Sequence, residues 1–480
     1  MFMTGTCTIT TWLTLTFTIF CFVPTQTYAS TNENVAESSS KLPNKVTDNP
    51  LLNSRFLLFG SRVRRTQTLR WIKRNNRTDM IAPLIYALRY LPPKLRQEVA
   101  DTLNNLTGKD LTDSWFKWMQ WQQANPQVRP FPQFDVYLSA LFGNLDPGFK
   151  DFIYPGIKHT IRLEEIVWGG VKARDGIPPI DHPKMIQAEE ASYLSDNESI
   201  FGVVINNDVR AYPYRIMDWH EMLNDTIGGQ SVSLAYCTLC GSGILFKTDQ
   251  PGDAPHFEFG SSGLLYQSNK LMFDRATNSL WNQFTGRPVV GTLAQSGIQL
   301  KTLPLVTTTW GHWRALHPDT KVLDSNTGFN RDYATGKPYD RYFKSPTLKF
   351  PTLTNDRQLN QKSVVFGLRL SGATQAWPLK LFRGGRVIND QVGVLKVVLI
   401  GHEATRTVRA YRREGNTFKA HSSNEVLLTS NSPFENQEWK ITESELVGPQ
   451  GEKLSRLPGH LAYWFAWHNY LGGDTLSEFF

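Results

Sequence analysis

Cysteine is scarce in this chain of 480 residues: there are four, and Cys7 and Cys21 fall in an apolar N-terminal stretch. So low a count excludes a small scaffold framed by disulfides. It also excludes a structural zinc domain built from paired knuckles, because Cys237-Thr238-Leu239-Cys240 has no second Cys-x-x-Cys to face it. A phosphate-binding loop is missing too. Phe259-Gly260-Ser261-Ser262-Gly263 lacks the Lys-Ser/Thr pair and a following helix pattern. No nucleic-acid motif accompanies the excess of 51 Lys and Arg over 43 Asp and Glu, a net charge of +8. Long apolar runs are absent: residues 12–23 (WLTLTFTIFCFV) are diluted with Thr, which argues against a robust membrane-spanning helix.

What is present reads as globular. Hydrophobic residues make up 40 % and aromatics 12 %, with 14 Trp, enough for an ample core and more than one domain. Residues 1–29 have the apolar centre and small-residue end of a secretory signal, although they contain no Lys or Arg. An exported, secreted or periplasmic protein is expected, with an uncleaved anchor as the alternative. Residues 30–49 are polar and read as a disordered linker. The basic run RVRRTQTLRWIKRNNR, which begins at Arg62 and ends at Arg77, reads as a solvated helix face or a contact with an anionic membrane surface.

Residues 50–150 carry helical spacing. Ile81 to Leu91 is stopped by Pro92-Pro93, and 95–106 and 115–121 continue the pattern, a module of three or four helices. Beyond residue 150 the pattern changes to short β-type runs between Gly, Pro and Asn. The expected class is α+β, an N-terminal helical module followed by a mostly β core built from two copies of one unit. The copies, within 151–345 and 346–480, follow from matches at a fixed offset. Phe201-Gly202, Ala211-Tyr212-Pro213, Leu223-Asn224-Asp225 and Gly228 return 165 residues later as Phe366-Gly367, Ala376-Trp377-Pro378, Ile388-Asn389-Asp390 and Gly393. Trp310 and Trp313 return as Trp464 and Trp467. Features of both copies, including Asn-Asp pairs expected in turns, serve the fold. Features of one copy are candidates for function. In the second copy His402 and Thr405 stand where Cys237 and Cys240 do, and Gly385 and Arg386 where His220 and Glu221 do.

Strand-like Val232 to Tyr236 precedes the cysteines and Ile244 to Phe246 follows, so the pair belongs in a hairpin turn. Three chemistries fit. Two soft thiolates with His220 as a further ligand would bind copper or zinc, with Glu221 as a supporting carboxylate or general acid/base. His256, His312, His317 and His402 are lesser ligand candidates. A thiol-disulfide oxidoreductase is the second reading, and a non-enzymatic ligand-binding module with inert cysteines the third. Asp274-Arg275 is expected as an ion pair or the lining of a polar cleft.

Several segments together are distinctive: RDGIP from Arg174, RAYPYRIMDWHEMLND from Arg210, YCTLCGS from Tyr236, GLLYQSNKLMFD from Gly263 and TWGHWRALHP from Thr309. They resemble the domain of unknown function 3179 family of bacterial and archaeal proteins, closely over residues 160–345. The resemblance implies a shared fold and no particular activity.

Overall fold

The computed structural model describes residues 45–250, 255–353, 358–423, 426–431, 435–472 and 475–477. The signal-like segment, Cys7, Cys21 and most of the polar linker lie outside the described residues. Among the described helices none is long and apolar enough to cross a membrane.

Among the described residues, six α-helices, more than spacing alone resolved, precede the β part: Pro50–Phe59, Arg62–Arg74, Ile81–Tyr90, Pro93–Thr107, Trp115–Ala124 and Phe134–Leu145. Asn49 caps the first by accepting from the Leu51 and Leu52 amides at 2.9 and 3.2 Å. Gly108, with φ +66°, ends the fourth in the left-handed region. Ile81–Tyr90 is buried from Ile81 through Leu88, as expected of a helix that is apolar all round and forms the centre of its module. In the basic helix Arg62, Arg70, Lys73 and Arg74 are exposed, whereas Arg65 is buried and donates Nε–H to the Leu57 carbonyl at 2.7 Å.

The remainder is mostly β. One sheet orders its strands Lys301–Leu303, Ser242–Lys247, Gln230–Cys237, Met222–Ile227 and Ile180–Asp181. Later in the chain Lys453–Leu457, Thr407–Arg412, Leu395–His402 and Arg386–Val392 pair in the corresponding order. The registers also agree. Phe201 faces Tyr212 as Phe366 faces Trp377, and Cys237 faces Ser242 as His402 faces Thr407. Val306 faces Gly202 as His460 faces Gly367.

Asn224-Asp225 and Asn389-Asp390 do not form turns, contrary to expectation. Both lie within strands, Met222–Ile227 and Arg386–Val392. Strand alternation sends the two side chains of each pair to opposite faces. Asp225 accepts from the Tyr212 hydroxyl at 2.6 Å, and Asp390 from the Trp377 indole N–H at 2.8 Å. Asn224 bonds both backbone groups of Phe259 (2.9 and 3.0 Å), and Asn389 those of Phe418 (2.7 and 2.8 Å). Asn224 therefore stitches its strand to a neighbouring sheet, and Asn389 joins the two end strands of one eight-stranded sheet, in each case where the strands share no backbone ladder.

Gly202 and Gly367 pack beneath the rings of Trp313 and Trp467, where a Cβ would overlap the indole. Both rings are buried and anchored by indole N–H bonds, to Thr320 at 2.9 Å and Thr475 at 3.2 Å. Gly202→Ala and Gly367→Ala should each cost about 1–3 kcal/mol by overpacking, read as a lowered midpoint in chemical denaturation. A wild-type midpoint in either variant would show that the ring yields.

Candidate functional site

The cysteines sit where strand Gln230–Cys237 turns into strand Ser242–Lys247 through a single tight turn, Thr238–Cys240. Gly241 completes the reversal at φ +59°, a conformation that glycine adopts without strain. Both thiols are free and buried, and their sulfurs lie 2.9 Å apart. Asn269 donates Nδ2–H to the Cys240 sulfur at 3.2 Å, and the Ser268 carbonyl lies 3.6 Å from it.

Glu221 follows helix Tyr214–His220 and stops it in the left-handed region at φ +58°. This unusual conformation for a side-chain-bearing residue turns the carboxylate toward the cysteine turn. Its Oε1 accepts from the Thr238 and Tyr339 hydroxyls, both at 3.0 Å, and its Oε2 lies 3.0 Å from the Lys270 ammonium. Glu221 and Lys270 are both buried, so the ion pair is shielded from water.

This charge arrangement separates the two thiols. Burial pushes the Cys237 thiol up, but the contact with Cys240, the Lys270 backbone N–H and the Lys270 ammonium outweigh burial and the repulsion from Glu221, and the net direction is down. Burial, followed by the developing charge on Cys237, holds Cys240 well above the ordinary thiol range. Of the two thiols, Cys237 is therefore the one that gives up its proton more readily. Nearby, burial drives the Asp218 carboxyl well above the usual range, against an opposing hydrogen bond from Tyr236. Asp218 Oδ1 has no hydrogen-bond partner among the described residues.

Cys237, Asp218, Glu221 and Lys270 line one cavity of about 760 Å³. Residues 338–350 close its other side, bringing Tyr339, Tyr342 and Phe350. The Tyr342 hydroxyl donates to the Leu239 carbonyl at 2.7 Å, directly over the cysteine turn. This segment lies between the stretches of matching strand order, so comparing those stretches could not reveal it. Lys270 was legible only as part of GLLYQSNKLMFD, with nothing to single it out. Asp218 carries no sequence signal beyond standing two residues before His220.

His220 has a different position from the one expected of a ligand. Its Nδ1 is 2.7 Å from the Pro178 carbonyl and its Nε2 is 2.6 Å from the Tyr333 hydroxyl. Both ring nitrogens are thus occupied in tying two loops together, and burial pushes the ring toward the neutral form. Among the described residues no group of three His, Cys, Asp or Glu side chains is placed to hold a metal ion. The lesser histidines are elsewhere: His317 lies 3.5 Å from Glu443 and His256 3.9 Å from Glu258. Asp274 and Arg275 do not pair with each other. Asp274, the last residue of strand Asn269–Asp274, accepts from Thr277 and the Trp281 indole, whereas Arg275, in the turn that follows, reaches Asp181 at 2.8 Å.

Residues 174–474 match the family described as "Protein of unknown function (DUF3179)". No curated protein matches the chain, and no solved structure does.

Proposed function

We propose that this chain, which belongs to the DUF3179 family, carries out thiol-disulfide exchange, with Cys237 as attacking thiolate and Cys240 as resolving thiol. The observation that carries the reading is the sulfur contact of 2.9 Å beside a cavity, with opposite shifts of the two thiols. The Cys237 thiolate attacks one sulfur of a substrate disulfide. The S–S bond breaks, the first thiolate leaves, and a mixed disulfide forms at Cys237. Cys240 passes its proton to that leaving group and attacks the Cys237 sulfur, releasing the second substrate thiolate, which is protonated from solvent. The substrate is reduced to two thiols and the pair is oxidised to a disulfide. An external dithiol would restore the starting state. Export, implied by residues 1–29, would place the pair where disulfide substrates persist.

Copper or zinc at the pair has less support. Two thiolates on a tetrahedral metal stand about 3.8 Å apart with metal-sulfur bonds of about 2.3 Å, against the 2.9 Å seen here, and among the described residues no His, Asp or Glu joins the two sulfurs in a ligand group. The same reading treats the stretches of matching register as two copies of one unit, of which only the first kept thiols.

Equilibration in mixtures of reduced and oxidised dithiothreitol, followed by acid trapping and mass measurement, tests the proposal. A single two-electron transition that disappears in Cys240→Ser is expected. Protein purified with one equivalent of metal that Cys237→Ser lacks, and with no such transition, would overturn it.

A further inference from the structure

We infer that the cavity selects small, anionic disulfides, such as those bearing carboxylates, and excludes disulfides carried by folded proteins. This deepens the exchange reading and rests on it. The first ground is access. Cys237 is 2 % exposed, and it lines the cavity. A folded protein cannot bring a disulfide to such a sulfur without opening the walls, whereas about 760 Å³ admits a small molecule.

The second ground is charge. Arg331, Arg341 and Lys349 line the cavity and are exposed. No ion pair occupies any of the three among the described residues; Arg331 instead stacks over the Trp219 ring at 5.5 Å. Deeper in the cavity the Glu221 carboxylate is already neutralised by Lys270. The field at the mouth is therefore cationic, and a low-dielectric cleft concentrates such a field. The third ground is an unfilled bonding position. Asp218, 4 % exposed, lines the cavity with Oδ1 unpartnered, ready to bond a polar group of a bound ligand. Leu264, Leu265 and Phe350 supply apolar wall for the body of the molecule.

The rim is held in place. The Trp219 indole N–H donates to the Asp332 carbonyl at 2.8 Å, and the Lys362 ammonium donates to the Ser345 carbonyl at 2.8 Å. All three cations belong to the segment between the stretches of matching register, so substrate choice is separable from the thiol chemistry.

The experiment measures oxidation of the reduced full chain by anionic dithiobis(nitrobenzoate), neutral dithiodipyridine and cationic cystamine. Each rate is divided by that for free 2-mercaptoethanol, an uncharged thiol, which removes intrinsic reactivity without adding a charge preference. At low salt the normalised rate for the anionic probe should exceed that for the cationic one by about tenfold or more, a gap that narrows at high salt. In the triple variant R331Q/R341Q/K349Q the gap should close from both sides, the dithiobis(nitrobenzoate) rate falling and the cystamine rate rising, a pair of opposite changes that damage to the fold would not produce. Oxidised insulin, a disulfide-bonded protein, should react slower than dithiodipyridine by about 100-fold on the same normalised scale. Normalised rates that are equal for the three probes would overturn the selectivity and leave thiol-disulfide exchange standing. Failure of every probe to oxidise the pair would overturn both.

Discussion

Cys237→Ser should slow reaction with dithiodipyridine by about 100-fold or more, because burial, which survives the substitution, still pushes the remaining Cys240 thiol above the ordinary range and the rate follows thiolate fraction. Cys240→Ser should behave differently. The first step survives, and the protein accumulates as a mixed disulfide at Cys237, visible by mass as one retained half of the probe. The asymmetry follows from the opposite shifts of two thiols whose sulfurs are 2.9 Å apart. The pH dependence has a definite sign. A thiol whose folded pKa lies below the ordinary range is a thiolate at lower pH, so the midpoint of iodoacetamide alkylation at Cys237 should fall below about 8.5. Removing the Cys240 sulfur deletes a stabilising contact to the thiolate, and Cys240→Ser should move that midpoint upward. Equal reactivity of the two single variants, with an ordinary midpoint in both, would remove the assignment of roles.

Local pattern made some of this readable and left the rest hidden. The hairpin around Cys237 was visible because short β-type runs, Val232 to Tyr236 and Ile244 to Phe246, flank a Gly-containing turn. The change from helix to strand character near residue 150 was visible for the same reason, through a change of period. The turn expected at Asn224-Asp225 misled because these residue types favour turns, yet here they are consumed by tertiary hydrogen bonds inside a strand. Glu221 was legible as an oddity of one stretch. Its partners were not: Lys270 lies 49 residues away and Tyr339 lies 118 away. Such pairings are set by sheet order and loop path, which no short-range pattern encodes. His220 shows the opposite limit, since a histidine near cysteines in the sequence proved to be a structural tie between two loops.

The buried Glu221–Lys270 pair makes the strongest claim on stability. Lys270→Met would leave the Glu221 carboxylate without its cation, and Glu221→Gln would leave the Lys270 ammonium without its anion. Breaking a buried pair from one side costs about 3–5 kcal/mol, because the surviving charge remains desolvated. Both variants should therefore lose stability by similar amounts in urea denaturation. Their effects on Cys237 should have opposite signs. The Lys270 ammonium pulls the Cys237 thiol down and the Glu221 carboxylate pushes it up. Lys270→Met should thus shift the alkylation midpoint to higher pH, and Glu221→Gln should shift it to lower pH. The double variant K270M/E221Q removes both charges together and should lose less stability than the two single losses added, since neither charge is left unpaired. A general loosening of the fold would move both alkylation midpoints the same way, toward the ordinary thiol value. Opposite shifts at like stability loss would show that the pair sets the charge on Cys237 directly. Single variants within about 1 kcal/mol of wild type, the usual worth of a solvated surface pair, would show that water reaches these groups and that the pair does not govern the thiol.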